Sequence, residues 1–241
     1  MSYAMTHLII ANEFAKQKNI TDKNIFLLAS IAPDAVHARM DFSKQIKASA
    51  HFLQPEEKWG EIYTEEAMII WYQRLQHFFA DKMLLVTNEK EITFLKGYTL
   101  HILTDIFNCQ LLYAPNLIRY NFRVDEMRDE YRRECILQDN FLYQNYVDSQ
   151  NIMSKLEAAL HSEPIEQILT RLQIKEHITA QNLADNTNYQ INLFRQSEQA
   201  SIEGLEMVSV TGSKYFLHKV TEESLRLLYT FPEVERTFRL S

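Results

Sequence analysis

Gly97-Tyr98-Thr99-Leu100-His101-Ile102-Leu103-Thr104-Asp105-Ile106-Phe107 reads as a helix that is apolar on nearly every side, yet it carries a histidine and an aspartate. Their spacing, His101 to Asp105, puts both side chains on one helical face. A carboxylate buried without a partner is costly, so Asp105 in this setting requires a cation or several donors. A divalent metal meets that requirement, and imidazole with carboxylate is a common zinc ligand set. A buried His–Asp hydrogen bond also meets it, and for this helix alone that is the simpler account.

The rest of the chain is written for helices. Of its 241 residues only 4 are glycine and 5 proline, too few for the turns of a Rossmann-type or sandwich fold. Long segments are rich in Leu, Ile, Glu, Lys, Gln and Ala, mostly good helix formers, so the expected class is all-α. A net charge of −7 argues against a general nucleic-acid binder and leaves room for a phosphate-bearing substrate held by a local metal. No apolar run is long enough to cross a bilayer, and no secretory signal opens the chain. Cys109 and Cys135 have neither metal nor redox spacing, and two buried thiols in a reducing cytoplasm account for them.

Working outward from the His101 helix, which spans about 91 to 108, the periodicity predicts further helices. A first one runs over 7 to 18 behind an N-cap at Thr6, burying Leu8, Ile9, Ala11, Phe14 and Ala15, with His7 at its start. The apolar run Ile25 to Ala32 stops at Pro33-Asp34, where proline is expected to turn the chain and present Asp34 as a ligand or as an N-cap. Residues 35 to 60 read as a long ordered loop containing His37, Arg39, Lys44, Lys47, His51 and Trp59. Thr64 to Ala80 is amphipathic, with Ala67, Ile70, Trp71, Leu75 and Phe78 inward and His77 at the surface or core edge. Helix is expected over 123 to 146, with Met127, Tyr131, Ile136 and Leu142 inward, then near 151 to 160, 164 to 173, 179 to 204 and 221 to 229. His161, His177 and His218 are scattered through that final third and read as surface residues.

Thr6-His7-Leu8, Ala32-Pro33-Asp34, Ser49-Ala50-His51-Phe52 and His101-Ile-Leu-Thr-Asp105 form a series of histidines and aspartates set beside small or apolar residues. In order and chemistry this series resembles the bacterial zinc-dependent phospholipase C family and, more distantly, the single-strand-specific zinc nucleases. The resemblance covers about residues 1 to 145, and Pro33-Asp34 and the His101/Asp105 pair behind Gly97-Tyr98 are its most specific parts. It implies a multi-helix bundle around a metal site, as one domain over 1 to 241 with the helices of 146 to 241 packed on the metal-binding part. By the resemblance Asp34, His51, His101 and Asp105 would hold one zinc, and His7 a second, with Asp105 bridging. Asp34 and Asp105 would be the catalytic carboxylates, and an activated water would attack the phosphorus of a phosphoester.

The chain departs from the family in two places. It starts Met1-Ser2-Tyr3, where the secreted phospholipases use an N-terminal tryptophan as a ligand. It also has no histidine between His101 and His161 for the family's third metal site, where Glu134 and Asp139 are the available oxygen donors. His37 reads either as a ligand or phosphate donor or as an exposed loop residue, and Arg39, Lys44 and Lys47 as phosphate contacts or solvated charges. Manganese or iron are alternatives to zinc, because carboxylates suit harder cations. The expected function is a metal-dependent phosphoesterase of the cytoplasm, acting on a small phosphoester or phospholipid-like substrate. The competing readings are a non-catalytic helical protein with a structural metal site, and a partner-binding module using aromatics such as Tyr143 and Tyr146.

Overall fold

In chain order the elements are α1 (Ala4–Gln17), α2 (Lys23–Ala29), a 3-10 turn (Pro33–Ala38), α3 (Lys44–Ala50), α4 (Glu65–Met83), α5 (Glu89–Asn108), a π-helical turn (Cys109–Tyr113), α6 (Ala114–Arg119), α7 (Val124–Asn145), α8 (Ser149–Ser162), α9 (Ile165–Arg171), α10 (Ala180–Arg195) and α11 (Val210–Thr230). The computed structural model describes residues 3–54, 57, 62–208 and 210–230, and among them there is no strand. No helix of the described residues is long and apolar enough to cross a membrane. The expected all-α class holds.

The axis is α5. Asn88 caps it by accepting from the Glu91 amide, and Glu89 and Glu91 place negative charge at the positive end of its dipole. Beyond that first turn α5 is buried almost all round, as a helix packed on every side must be. α1, α2, α4, α9 and α11 all lie against it. The closest approach is that of α2, and Gly97 permits it. A Cβ on Gly97 would stand 2.6 Å from the Phe26 carbonyl oxygen and 2.7 Å from Ala29 Cβ. One turn later, the same proximity lays the end of α2 against His101.

One apolar core runs from Met5 on α1 to Leu228 on α11. α8 packs on α2, α10 on the 3-10 turn, and α11 on α1 and α5, so the C-terminal helices share the core of the first half.

Several local expectations are corrected. Residues 35 to 60 are not one long loop, since the 3-10 turn and α3 occupy much of the segment. α3 is only seven residues long, too short to show periodicity, and its start rests on Ser43 accepting from the Ile46 amide. Trp59 lies outside the described residues. Ala32 keeps helical angles ahead of Pro33, with φ −65° and ψ −39°, because the proline opens the 3-10 turn where its missing N–H costs nothing. α1 begins at Ala4, so Thr6 lies inside the helix and does not cap it. α10 stops at Arg195 rather than 204, and α11 starts well before 221. Ile70 and Ile136 are exposed, because the buried stripes run through Met68, Trp71, Leu75 and Phe79 on α4 and through Met127, Tyr131, Glu134 and Gln138 on α7. Tyr143 is buried against Phe194, and Tyr146 is half-buried and donates to Glu13, so neither offers an exposed docking aromatic.

Candidate metal centre

Four elements bring the five principal candidates together. α1 carries His7, the 3-10 turn carries Asp34, the C-terminal end of α3 carries His51, and α5 carries His101 and Asp105. Two groups within this set have ligand atoms close enough to share a metal: Asp34, His51 and His101, and His7, His101 and Asp105. His51 Nε2 and His101 Nε2 face each other at 3.3 Å. Asp34 Oδ1 lies 3.4 Å from His51 Nε2, and Asp34 Oδ2 3.9 Å from His101 Nε2. Asp105 Oδ2 lies 3.7 Å from His51 Nε2 and 3.6 Å from His101 Nε2, while its Oδ1 turns to His7 Nε2 at 3.5 Å.

The rings are held from behind. His101 Nδ1 meets the Ser30 carbonyl at 2.8 Å, and His51 Nδ1 meets the Lys47 carbonyl at 2.9 Å. A carbonyl can only accept, so both Nδ1 atoms carry the proton. In a neutral imidazole the other nitrogen is then a bare lone pair. Around His51 the backbone is pinned twice more: Trp71 Nε1 donates to the His51 carbonyl at 2.6 Å, and the Tyr98 hydroxyl to the Ala50 carbonyl at 2.8 Å. Phe52, next in the chain, sits at φ 61°, a left-handed conformation that glycine usually takes. Its ring packs on Phe78 and Tyr98, which holds the strained turn in place.

The two Nε2 atoms and the two carboxylates therefore converge on one point. Atoms bound about 2.1 Å from one tetrahedral centre stand about 3.4 Å from one another, close to the separations seen. His101 does not balance the carboxylates as an imidazolium, since burial and the neighbouring His7 push it down to about 3, against the pull of Asp105 and Asp34. Both carboxylates stay ionised. Burial works to raise Asp34, but the Lys47 ammonium and His51 hold it well below the usual range. Burial also works against Asp105, which His7 and His101 hold below its ordinary value. His7 adds a further sign: its ring stacks on His101 at 3.8 Å, and both its nitrogens are buried without a hydrogen-bond partner. The donor set and its orphaned nitrogens fit a divalent metal, with the backbone carbonyls as the supporting shell.

The remaining candidates divide. Lys47 Nζ lies 3.1 Å from Asp34 Oδ1 and donates to His37 Nε2 at 2.9 Å, so His37 stands on the rim with that nitrogen engaged. Arg39 pairs with Asp41 and donates to the carbonyls of Glu176 and His177, while Lys44 is exposed, so neither lines the site. Glu134 and Asp139 serve backbone amides. Glu134 accepts from Glu206, Met207 and Val208, and Asp139 from Met5 and Thr6 and from the Thr6 hydroxyl. Asp139 thereby does for the start of α1 what a local N-cap does elsewhere, and neither carboxylate belongs to a metal-holding group among the described residues. His77, His161 and His218 are exposed and His177 half-buried, all apart from the centre.

A cleft of about 130 Å³ opens beside Asp34, lined also by His37, Lys47, Arg132, Asn186 and Gln190. The last three were not foreseen from sequence. Polar residues on amphipathic helices read as solvated faces, and only the packing of α10 on the 3-10 turn brings Asn186 and Gln190 here, and that of α7 on α1 brings Arg132. Comparison of the chain with protein-family models, with curated proteins and with solved structures finds no match.

Proposed function

We propose that the protein is a metal-dependent hydrolase of phosphoesters, related in kind to the zinc-dependent phospholipases C. The observation that carries this reading is the facing of His51 Nε2 and His101 Nε2 at 3.3 Å, each with its other nitrogen committed to a carbonyl. Zinc suits such a donor set, with manganese or iron as alternatives given two carboxylates. When bound, the metal supplies Lewis acidity toward a water and a phosphoryl oxygen. The chain's own residues do the rest. Asp105 turns one oxygen to His51 and His101 and the other to His7, the reach needed to serve one ion or two. Asp34 keeps 26% of its side chain exposed, so the centre opens toward the cleft, as a catalytic site requires and a structural one does not. Lys47 places positive charge at that opening, where a phosphoryl group would develop negative charge. A small phosphoester suits this cleft, and the free buried thiols of Cys109 and Cys135 suit the cytoplasm.

The test is metal analysis of protein purified without chelators, together with hydrolysis of bis(4-nitrophenyl) phosphate. Wild type is expected to carry at least one equivalent of metal and to turn over. His101→Ala and Asp105→Ala are expected to lose metal and roughly a hundredfold or more in rate, the scale of several kcal/mol of charge stabilisation. Less than one equivalent, with no rescue by added zinc or manganese, would sink the proposal.

A further inference from the structure

Part of the cleft wall beside Asp34 comes from the C-terminal third of the chain, and its chemistry is unlike that of a merely solvated face. Asn186 is 5% exposed, and its Nδ2 is buried with no hydrogen-bond partner. Leaving a buried amide donor unmade is costly, so a partner for it is expected from outside the protein. Gln190 lies one turn further along α10 on the same face and also lines the cleft. The same cleft is lined by the Lys47 ammonium, 3.1 Å from Asp34 Oδ1, and by Arg132 from α7.

α10 is fixed in this position at its N-terminal end. Thr179 and Asn182 form a capping box, and Asn182 Nδ2 also donates to the Ala38 carbonyl at 3.4 Å. Arg39 clamps the preceding segment through the carbonyls of Glu176 and His177, both at 2.7 Å. The helix is therefore tied to the very turn that carries Asp34.

We propose that Asn186 and Gln190 of α10, with Lys47 and Arg132, form a phosphate-binding subsite in the cleft beside Asp34. Two cations and two neutral amides line one small cleft together with the Asp34 carboxylate that Lys47 pairs with, and these donors suit a tetrahedral oxyanion whose oxygens only accept. At about 130 Å³ the cleft is well below the roughly 300–1,000 Å³ of a drug-sized site, so the occupant is a phosphoryl group with a small polar substituent. The choice of phosphate among oxyanions rests on the phosphoesterase reading, whereas the subsite itself rests on the cleft.

The experiment is calorimetric titration of inorganic phosphate into the full chain, with metal content measured on the same samples. Wild type is expected to bind phosphate saturably. Asn186→Leu is expected to bind about tenfold more weakly or worse, the worth of one hydrogen bond to a charged group, at unchanged metal content. Asn186→Asp, which adds a negative charge, is expected to bind more weakly again. Gln190→Leu, at a half-buried position, is expected to lose affinity without loss of fold, and it decides the matter if the Asn186 variants do not fold. Absence of phosphate binding by wild type overturns the proposal, as does binding by the folded variants as tight as wild type. Variants weakened for phosphate in a protein that hydrolyses no phosphoester would sink the phosphoesterase reading and leave the subsite standing. Hydrolysis with unaltered phosphate binding in the variants would do the reverse.

Discussion

His101 is held in three ways at once: a carbonyl behind one nitrogen, His51 in front of the other, and the His7 ring stacked on its face. Its neighbour on the rim, His37, shows how the same surroundings act on a histidine outside the ligand groups. Burial and the Lys47 ammonium push His37 down from 6.5 to about 4, although Asp34 pulls the other way. The unfolded chain takes up this proton near pH 6.5, the folded chain only near 4, so the residue contributes stability above pH 6.5 that is lost as the pH falls through that window. An NMR titration is expected to give a His37 midpoint near 4, and a midpoint near 6.5 would show that neither burial nor the Lys47 ammonium acts on it as described. At this scale the sequence was informative where residue type clashed with its surroundings. A histidine or aspartate inside an apolar run stands out, and His7, Asp34, His51, His101 and Asp105 all did. Asn186, Gln190 and Arg132 did not, because polar residues on an amphipathic helix look alike whether they face water or a cleft.

Among the elements, the pairing of α2 with α5 positions the centre. Gly97 sits one turn before His101 and allows the backbones to touch, which delivers the Ser30 carbonyl to the ring. Gly97→Ala would gain about 1 kcal/mol of helix propensity, but its methyl has no room. Overpacking is expected to dominate, for a net loss of about 1–3 kcal/mol, with a melting temperature several degrees lower and weaker metal binding as Ser30 is pushed from His101. An unchanged or higher melting temperature would show that α2 and α5 are not in such close contact. α5 itself was readable, because a segment apolar all round can only be a buried helix. α3 was not, since seven residues among mixed charges carry no period, and its capping depends on the Ser43 side chain. Glu134 and Asp139 misled for the same reason in reverse. Their carboxylates answer amides some 70 and 130 positions away, a partnership no local pattern encodes.

Across the whole molecule, scarce glycine and proline and abundant helix formers sufficed for the all-α class, and one shared core ties α11 to α1. What composition could not supply is the arrangement, in which the first half of the chain brings the metal candidates together and α10 closes the cleft beside them. A cation at the meeting point of His51 and His101 is the premise of the proposed chemistry. An anomalous difference map at the zinc edge, from crystals of protein purified without chelator, tests it most directly. The expected result is a peak about 2.0–2.2 Å from His51 Nε2 and His101 Nε2, with Asp34 and Asp105 as its oxygen ligands. A map with no peak there, even after soaking in zinc and in manganese at its own edge, would contradict it.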